Sequence, residues 1–147
     1  MAKKILLLNG PNLNMLGKRD PNLYGDITLK DVEETCEKLA IQNGIQLESK
    51  QTNYEGELVE FIHAARETSE AIIINPGAYS HTSVAIFDAL EMFQGPIVEV
   101  HISNIHKRES FRHYSYVSQR ADSVIVGCGV QGYELALLRL VQILKDT

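Results

Sequence analysis

Three polar residues alternate with aliphatic ones in a stretch of the sequence that suits acid–base chemistry. Glu99, His101 and Ser103 stand two residues apart, so an extended chain presents all three side chains on one face. A carboxylate near a histidine can hold the imidazole in one tautomer and prepare it as a general acid. A structural histidine–glutamate pair has the same spacing, and the pattern by itself leaves both interpretations open.

A second candidate is the segment LGKRDPNLYG, residues 16–25. Its glycine, proline, asparagine and aspartate residues are those that turns require, so they need no other explanation. Arg19 and Tyr24 are not turn formers, yet they lie close together in this segment. The cation and the phenol are therefore candidates for chemistry.

A third candidate begins with Asn75, Pro76 and Gly77, which follow an apolar run and lead toward an expected helix near Ser80. The N-terminus of a helix presents free N–H groups and binds oxyanions. An ordinary turn between a strand and a helix has the same composition. His81 would lie in the first helical turn, where the sequence does not distinguish a ligand-facing ring from a solvent-facing one.

Five short apolar runs are interpreted as the strands that position these candidates. Four of them are nearly continuous, as strands buried on both faces are. The second alternates apolar and polar residues, which is typical of an edge strand. The five runs are residues 5–8, 45–47, 71–74, 96–102 and 123–126.

Helical periodicity fills the gaps between the runs. Thr28 and Asp31 are spaced as a capping box at the start of the first helix, and Gly44 is placed to end it. The predicted buried stripes are Leu29, Val32, Cys36, Leu39 and Ala40 in the first helix; Leu58, Phe61, Ile62 and Ala65 in the second; Val84, Phe87, Leu90 and Phe93 in the third; and Leu135, Leu138, Val141 and Leu144 in the last.

The alternation of strands and helices predicts βαβ units and a parallel sheet. A polar second strand favours a flavodoxin-like α/β fold, a three-layer sandwich with a five-stranded parallel sheet of order 2-1-3-4-5. The length predicts one domain, residues 1–147. Ligands bind such sheets outside the carboxyl ends of the strands where the strand order reverses, so we expect the site after strands 1, 3 and 4.

The composition excludes several classes of protein. The net charge is -5 and no basic face is evident, which argues against nucleic-acid binding. No apolar stretch approaches the ~18 residues of a membrane span, and no signal-peptide pattern is present. Cys36 and Cys128 are far apart, as reduced thiols are. We therefore expect a cytoplasmic protein that does not bind membranes.

Two further motifs are weak. The glycines of GCGVQG, residues 127–132, match a dinucleotide-binding pattern, but that site needs a following strand with an acidic residue and the chain ends first. We interpret these glycines as close packing between the last strand and helix. The histidines and cysteines lack the paired spacing of metal ligands, so no metal site is predicted.

Four stretches of the sequence together resemble the type II dehydroquinases: NGPNLNMLGKRDPNLYG, INPGAYSHTSVAIFDAL, VEVHISNIHKRESFRHYSYVS and GVQGYELAL. They follow the family's order and extend from residue 5 to about residue 140. The sequence departs mildly from the family pattern at Asp20, Phe87 and Tyr114. None of these positions is a residue with an expected role, although Asp20 adjoins Arg19.

The resemblance implies a 3-dehydroquinate dehydratase, a lyase of the shikimate pathway that acts by anti elimination through an enol or enolate. Tyr24 would be the base at C2, with Arg19 lowering its pKa. His101 would protonate the leaving hydroxyl, with Glu99 orienting it, and Asn12 would help to hold a water at the enolate oxygen. No metal or organic cofactor is implied. The implied substrate-binding residues are Asn75, His81, Ile102, Ser103 and Arg112.

Elementary chemistry agrees with a tyrosine base. A proton next to a ketone is only weakly acidic, so tyrosinate is a better base for it than a carboxylate. An unperturbed tyrosine has a pKa of ~10, and a guanidinium within reach favours the ionised form. The segment 16–25 would then carry a base and its activator on a loop that closes over the substrate.

The resemblance also implies a homo-oligomer, a dodecamer of four trimers in which Asp88 reaches a neighbouring chain's site. Asp88 lies seven residues after His81, a separation of about 10.5 Å along a helix. The two residues can hardly contact one small ligand within a subunit. An ordinary surface aspartate is the alternative.

A different class of function is a non-catalytic flavodoxin-like module that binds a nucleotide or flavin. It would need a phosphate loop after the first strand, and GPNLN lacks the run of glycine, serine or threonine that such loops use. A phospho-acceptor receiver domain would need aspartates where the chain has Asn9 and Asn75.

Overall fold

A five-stranded parallel sheet forms the centre of the protein, as the sequence predicts. The computed structural model describes residues 2–18, 22 and 25–146, and Arg19 and Tyr24 lie outside these ranges. The strand order is β2-β1-β3-β4-β5, with every adjacent pair parallel. The strands are β1 (Lys3–Asn9), β2 (Ile45–Gln51), β3 (Ala71–Asn75), β4 (Ile97–His101) and β5 (Ser123–Val126).

Four α-helices cover the two faces of this sheet. α1 and α4 pack on one face and α2 and α3 on the other, so that each face encloses its own apolar core. This arrangement confirms the predicted flavodoxin-like three-layer fold. The helices are α1 (Leu29–Gln42), α2 (Glu55–Thr68), α3 (Val84–Glu91) and α4 (Gln131–Lys145).

Strand β1 shows why the central strands are nearly continuous in apolar residues. Ile5 and Leu7 belong to the core beneath α1 and α4, whereas Leu6 and Leu8 belong to the core beneath α2 and α3. Burial of such a side chain stabilises the fold by roughly 1.5–3 kcal/mol. β2 at the edge keeps several partly exposed residues, which confirms its predicted position.

The predicted capping box at the start of α1 is present. The Asp31 N–H donates to Thr28 Oγ1 over 3.2 Å, and the Thr28 N–H donates to Asp31 Oδ2 over 3.0 Å. Gly44 follows the helix with a φ of 71°, a left-handed conformation that glycine adopts without strain. Local sequence therefore determines both ends of this helix.

The predicted stripe of α3 is partly wrong. Val84 is 50% exposed, and Ile86 and Ala89 take the inward positions beside Leu90 and Phe93. The helix is short and mostly apolar, so more than one face satisfies the helical period. Contact with α2 and the sheet selects the face that is buried.

The predicted stripe of α4 is also partly wrong, because Leu135 and Leu138 are exposed. Tyr133 and Leu137 are fully buried instead. Gly132 lets the helix begin close against β4, because a Cβ there would lie 3.3 Å from Val100 Cγ1. Close packing is therefore confirmed for Gly132 and also for Gly127, where a Cβ would lie 3.0 Å from Asn104 Cβ. It is wrong for Gly129, where a Cβ would meet no described atom within 4 Å and the left-handed φ of 62° is what favours glycine.

Both cysteines are free, and they differ in environment. Cys36 is buried in the core beneath α1 and α4, whereas Cys128 is exposed. Burial, with the charges of Glu134 and Glu33, raises the pKa of the Cys36 thiol to about 12. Within the described part of the chain, no helix is long and apolar enough to cross a membrane.

Candidate active site

A pocket of about 190 Å³ opens at the carboxyl ends of β1, β3 and β4, where the strand order reverses. Its walls come from the turn after β1, the 3-10 helix Gly77–His81 after β3, and the connection between β4 and β5. This is the position that the strand order predicts for a ligand.

Most of the predicted site residues come together in this pocket. Glu99 lies behind His101 and is fully buried. Asp88 lies on α3, is exposed, and does not belong to the pocket wall that the described residues form. Arg19 and Tyr24 lie outside the described residues. The predicted residues that line the pocket are Asn12, Asn75, His81, His101, Ile102, Ser103 and Arg112.

The segment after β3 differs from the expectation. No α-helix begins near Ser80, because residues 77–81 form a 3-10 helix. α3 begins at Val84, where the Ser83 hydroxyl accepts the Ile86 N–H over 2.9 Å. His81 therefore ends the 3-10 helix rather than beginning an α-helix, and its side chain lines the pocket.

The Glu99 carboxylate accepts hydrogen bonds on both of its oxygens. Oε2 lies 2.5 Å from His101 Nε2 and accepts the Ser115 hydroxyl over 2.7 Å. Oε1 accepts the Ser118 hydroxyl over 2.5 Å. Sequence reasoning missed Ser115 and Ser118; their three-residue spacing in the YSYVS stretch was the only available signal.

These hydrogen bonds keep the buried carboxylate charged. Burial by itself would raise the pKa of Glu99, but the hydrogen bond and charge of His101 and the two serine hydroxyls outweigh it, so the pKa lies below its usual range. A carboxylate only accepts hydrogen bonds, so His101 Nε2 must carry the shared proton. Nδ1 is left for the pocket.

His81 is oriented by a main-chain carbonyl. Its Nδ1 lies 2.8 Å from the carbonyl oxygen of Tyr114, which can only accept, so Nδ1 carries a proton. The His81 and His101 rings are stacked with centroids 6.3 Å apart. Two oriented imidazoles therefore stand side by side in the pocket.

Asn12 is held in an unusual backbone conformation at the pocket wall. Its φ is 71°, a left-handed value that asparagine tolerates better than most residues. The Asn12 N–H donates to Asn53 Oδ1 over 3.0 Å, and Gln51 Nε2 donates to the same oxygen over 3.1 Å. Sequence reasoning missed Gln51, which ends β2, and Asn53, which follows it. Together these two residues fix the turn that carries Asn12.

Asn75 is fixed at both ends of its amide. Its Oδ1 accepts the Gly77 N–H over 3.1 Å, and its Nδ2 donates to the Tyr133 hydroxyl over 2.8 Å. Asn75 ends β3 and is 4% exposed. Its orientation in the pocket is therefore set by partners on two different elements.

Two guanidinium groups line the pocket, and both lie within 4 Å of the Glu109 carboxylate, Arg112 at 3.2 Å and Arg108 at 3.8 Å. Arg112, which was predicted, donates from Nε to Glu109 over 3.2 Å. Arg108, which sequence reasoning missed, donates from Nη1 to Ser103 Oγ over 3.4 Å. The four-residue spacing of the arginines was the available signal. No carboxylate belongs to the wall formed by described residues, so the site suits an anionic ligand.

A metal centre is not evident in the part of the chain that the structure describes. No group of three or more histidine, cysteine, aspartate or glutamate side chains there can hold an ion. The pocket presents two imidazoles, two amides, a hydroxyl and two guanidiniums. This set can donate and accept hydrogen bonds, bind an anion and move a proton.

Comparison with known proteins places the chain in a family. The model of the family described as Dehydroquinase class II matches residues 3–141. A 3-dehydroquinate dehydratase of Streptomyces coelicolor is 61% identical over 137 residues, covering 92% of this chain and 87% of its own. One from Cereibacter sphaeroides is 56% identical over 140 residues, with 95% of both chains covered.

Solved structures agree with the sequence matches. The crystal structure of the type II dehydroquinase from Propionibacterium acnes has a TM-score of 0.92 and 44% identity, covering 97% of this chain and 98% of its own. These matches do not favour the alternative of a nucleotide- or flavin-binding module. The chain belongs to the class II dehydroquinase family.

Proposed function

We propose that this protein is a 3-dehydroquinate dehydratase, a hydro-lyase that converts 3-dehydroquinate to 3-dehydroshikimate and water. The observation that carries the proposal is the buried Glu99–His101 pair, which opens on a pocket with two guanidiniums. A pocket of this kind suits a small carboxylate substrate that loses a hydroxyl group. The curated relatives bear the name of this activity.

His101 is the proposed acid for the leaving hydroxyl. Because Nε2 binds Glu99, Nδ1 is the nitrogen available to the substrate. A proton on Nδ1 makes the ring an imidazolium, and the Glu99 carboxylate 2.5 Å away stabilises that positive charge. Loss of the proton to the hydroxyl leaves a neutral ring in a defined tautomer.

Tyr24 is the proposed base, with Arg19 as the cation that favours its ionised form. Support comes from the neighbouring residues Leu16 and Gly17, which line the pocket, so the segment that carries Arg19 starts at the pocket wall. The proton at C2 and the hydroxyl at C1 leave in an anti elimination. The base and His101 are then required on opposite faces of the substrate.

The remaining pocket residues are proposed to bind the substrate. Ser103 and the backbone of Ile102 hold its carboxylate. Asn12 helps to hold a water against the enolate oxygen. The residues proposed to hold the substrate hydroxyls are Asn75, His81 and Arg112, all of which line the pocket.

The activity is tested by mixing the protein with 3-dehydroquinate and following the conjugated-enone absorbance of the product. Tyr24→Phe should lower kcat by ~10²- to 10⁴-fold, because a general base is lost. Arg19→Ala should move the acid limb of kcat/KM to higher pH. If Tyr24→Phe retains most of kcat, the segment is only a lid and the assigned base is wrong.

An imine intermediate is not part of the proposal, since no lysine belongs to the pocket wall formed by the described residues. Borohydride added together with the substrate should therefore leave the activity intact. Substrate-dependent inactivation with a mass increment on a lysine would contradict the elimination route through an enolate.

The proposed assembly is a homododecamer of four trimers in which Asp88 reaches the site of a neighbouring chain. Its exposed position away from the pocket is compatible with that role. Co-expression of Asp88→Ala with His101→Ala should give mixed oligomers that recover activity, because some sites then combine an intact His101 with an intact Asp88. An active monomer in light scattering would contradict the shared site.

The proposed cellular location is the cytoplasm, in the shikimate pathway. The two free cysteines support a reducing compartment. Cell fractionation with an activity assay tests this location, and activity confined to a secreted fraction would contradict it.

A further inference from the structure

We infer that Tyr133 is a positioning residue of the active site, which sets the orientation of the Asn75 amide through a buried hydrogen-bond relay. The relay runs from Asn9 through Tyr133 to Asn75 and ends at the backbone of Gly77. The inference rests on the proposed role of Asn75 in binding the substrate. It assigns a part in that binding to α4, which does not line the pocket.

The relay is buried beneath the pocket. The Tyr133 hydroxyl donates to Asn9 Oδ1 over 2.6 Å and accepts from Asn75 Nδ2 over 2.8 Å. Asn9 and Tyr133 are fully buried and Asn75 is 4% exposed, so water does not compete for these bonds. Burial also raises the pKa of Tyr133, which keeps the phenol neutral with one proton to donate.

The contact at the pocket end of the relay fixes which atoms donate and which accept along the whole relay. The Gly77 N–H can only donate, so the end of the Asn75 amide that faces it must be the oxygen. The Asn75 nitrogen then faces Tyr133, whose oxygen must accept from it. The single phenolic proton is left for Asn9. If the Asn9 amide were turned to donate to Tyr133 instead, the phenolic proton would have no acceptor in the relay.

This direction explains a defect in the buried structure. Asn9 Nδ2 is buried and has no hydrogen-bond partner among the residues that the structure describes. Because Tyr133 has already used its proton on Asn9 Oδ1, turning the Asn9 amide would leave that proton without an acceptor. A buried amide without a partner destabilises the fold. The unpaired group is in Asn9, at the end of the relay away from the pocket. The Asn75 amide keeps both of its contacts and its orientation.

The relay leaves Asn75 with a defined capacity for its ligand. Among the described residues, one N–H and one lone pair of the amide oxygen have no partner, since only the other N–H and lone pair are bound there. Asn75 lines the pocket. A substrate hydroxyl can therefore be recognised both as a donor and as an acceptor at this one residue.

The test is a double-mutant cycle between Tyr133→Phe and Asn75→Ala, with KM and kcat measured for all four proteins. Tyr133→Phe keeps the buried ring but removes the hydroxyl. We expect KM to rise about tenfold with little change in kcat, because an interaction made equally in the ground and transition states is lost. When Tyr133→Phe is added to the Asn75→Ala protein, KM should not rise further.

A second variant keeps the test open if Tyr133→Phe does not fold. Asn9→Ala removes only the acceptor of the phenolic proton, so KM should rise by less, about threefold, and the effect should again vanish with Asn75→Ala. Leu140→Ala on the same helix is the matched control. It is fully buried but outside the relay, so it should lower stability and leave KM unchanged.

Two results would overturn the relay. One is that Tyr133→Phe lowers kcat/KM by the same factor in the wild-type protein and in Asn75→Ala. That result would indicate a purely structural role of Tyr133. The other is an unchanged KM in Tyr133→Phe. A normal KM in Asn75→Ala would overturn both the relay and the assigned role of Asn75, whereas a wild-type protein without dehydratase activity would overturn the proposed function itself.

Discussion

Two buried polar networks lie on opposite faces of the same sheet, and they differ in charge. Glu99, with its serine and histidine partners, lies on the face opposite to Val98 and Val100, which pack under α1 and α4. The Asn9–Tyr133–Asn75 relay lies on the face of α1 and α4. The first network contains a carboxylate, and the second contains only neutral groups.

The difference in charge decides how completely each network is satisfied. Counting the described residues, the charged carboxylate receives three hydrogen bonds, with at least one on each oxygen, whereas the neutral relay leaves Asn9 Nδ2 without a partner. An unpaired buried charge costs far more than an unpaired buried amide. The fold therefore tolerates a defect in the neutral network, and we expect the charged one to be the more sensitive to substitution.

The largest effect is expected from Glu99→Gln. The amide keeps the shape of the side chain, but one of its ends can no longer accept, so His101 or a serine loses its partner. We expect kcat to fall by ~10²- to 10⁴-fold, since the acid loses its orientation and countercharge. Steady-state kinetics with the folded variant measure this, and a kcat within a few-fold of wild type would contradict it.

A smaller effect concerns Tyr133 in alkali. Burial raises its pKa above the unfolded value of ~10. Its contribution to stability is therefore fully present below about pH 10 and is lost as pH rises toward the folded pKa, by ~1.4 kcal/mol per pH unit. Phenylalanine does not titrate, so Tyr133→Phe does not lose stability in this way. The difference in unfolding free energy between wild type and Tyr133→Phe should therefore shrink between pH 9 and pH 11.

Urea unfolding at a fixed protein concentration measures that deficit. Ser118→Ala is the matched control, because its deficit should stay constant over this alkaline range. Parallel stability curves for wild type and Tyr133→Phe would contradict the prediction.

The smallest effect concerns Ser118→Ala in acid. The pKa of Glu99 is lowered in the folded protein, so its stabilising contribution is present above the unfolded pKa of ~4.3 and is lost as pH falls through the folded pKa. Removal of the Ser118 hydrogen bond should cost about 1 kcal/mol at pH 7. That cost should diminish when the pH falls below the folded pKa of Glu99.

The same unfolding measurement at pH 7 and at successively lower pH, through the acid titration of Glu99, tests this expectation. Here Tyr133→Phe serves as the control, because no group of its relay titrates in acid. A loss of stability in Ser118→Ala that stays the same from pH 7 through the acid titration of Glu99 would contradict the assigned role of Ser118 in keeping Glu99 charged.

The sequence predicted features that depend on local chemistry or on a strong period. Thr28 and Asp31 form their capping box because the two side chains reach each other within one helical turn. Glu99 and His101 meet because alternate residues of a strand share a face. The strand order followed from one polar strand and a known rule of connection.

Helix orientation was less predictable. In α4, apolar residues occupy more than one face, so Leu135 and Leu138 fitted the helical period as well as Leu137 does. The face that carries Leu137 and Leu140 is the one that packs against the sheet, in the core that contains Val100. The period of the apolar residues predicts where a helix lies in the sequence. Packing against the sheet then selects which side of the helix is buried.

The sequence by itself determined the order of the strands, the ends of α1 and the residues that line the pocket from successive strand ends. Only the tertiary structure decided which distant residues complete the two buried networks. Ser118 reaches Glu99 across 19 residues and Tyr133 reaches Asn9 across 124. Such contacts have no signature in a short stretch of sequence, because the packing of whole elements brings their donors and acceptors together.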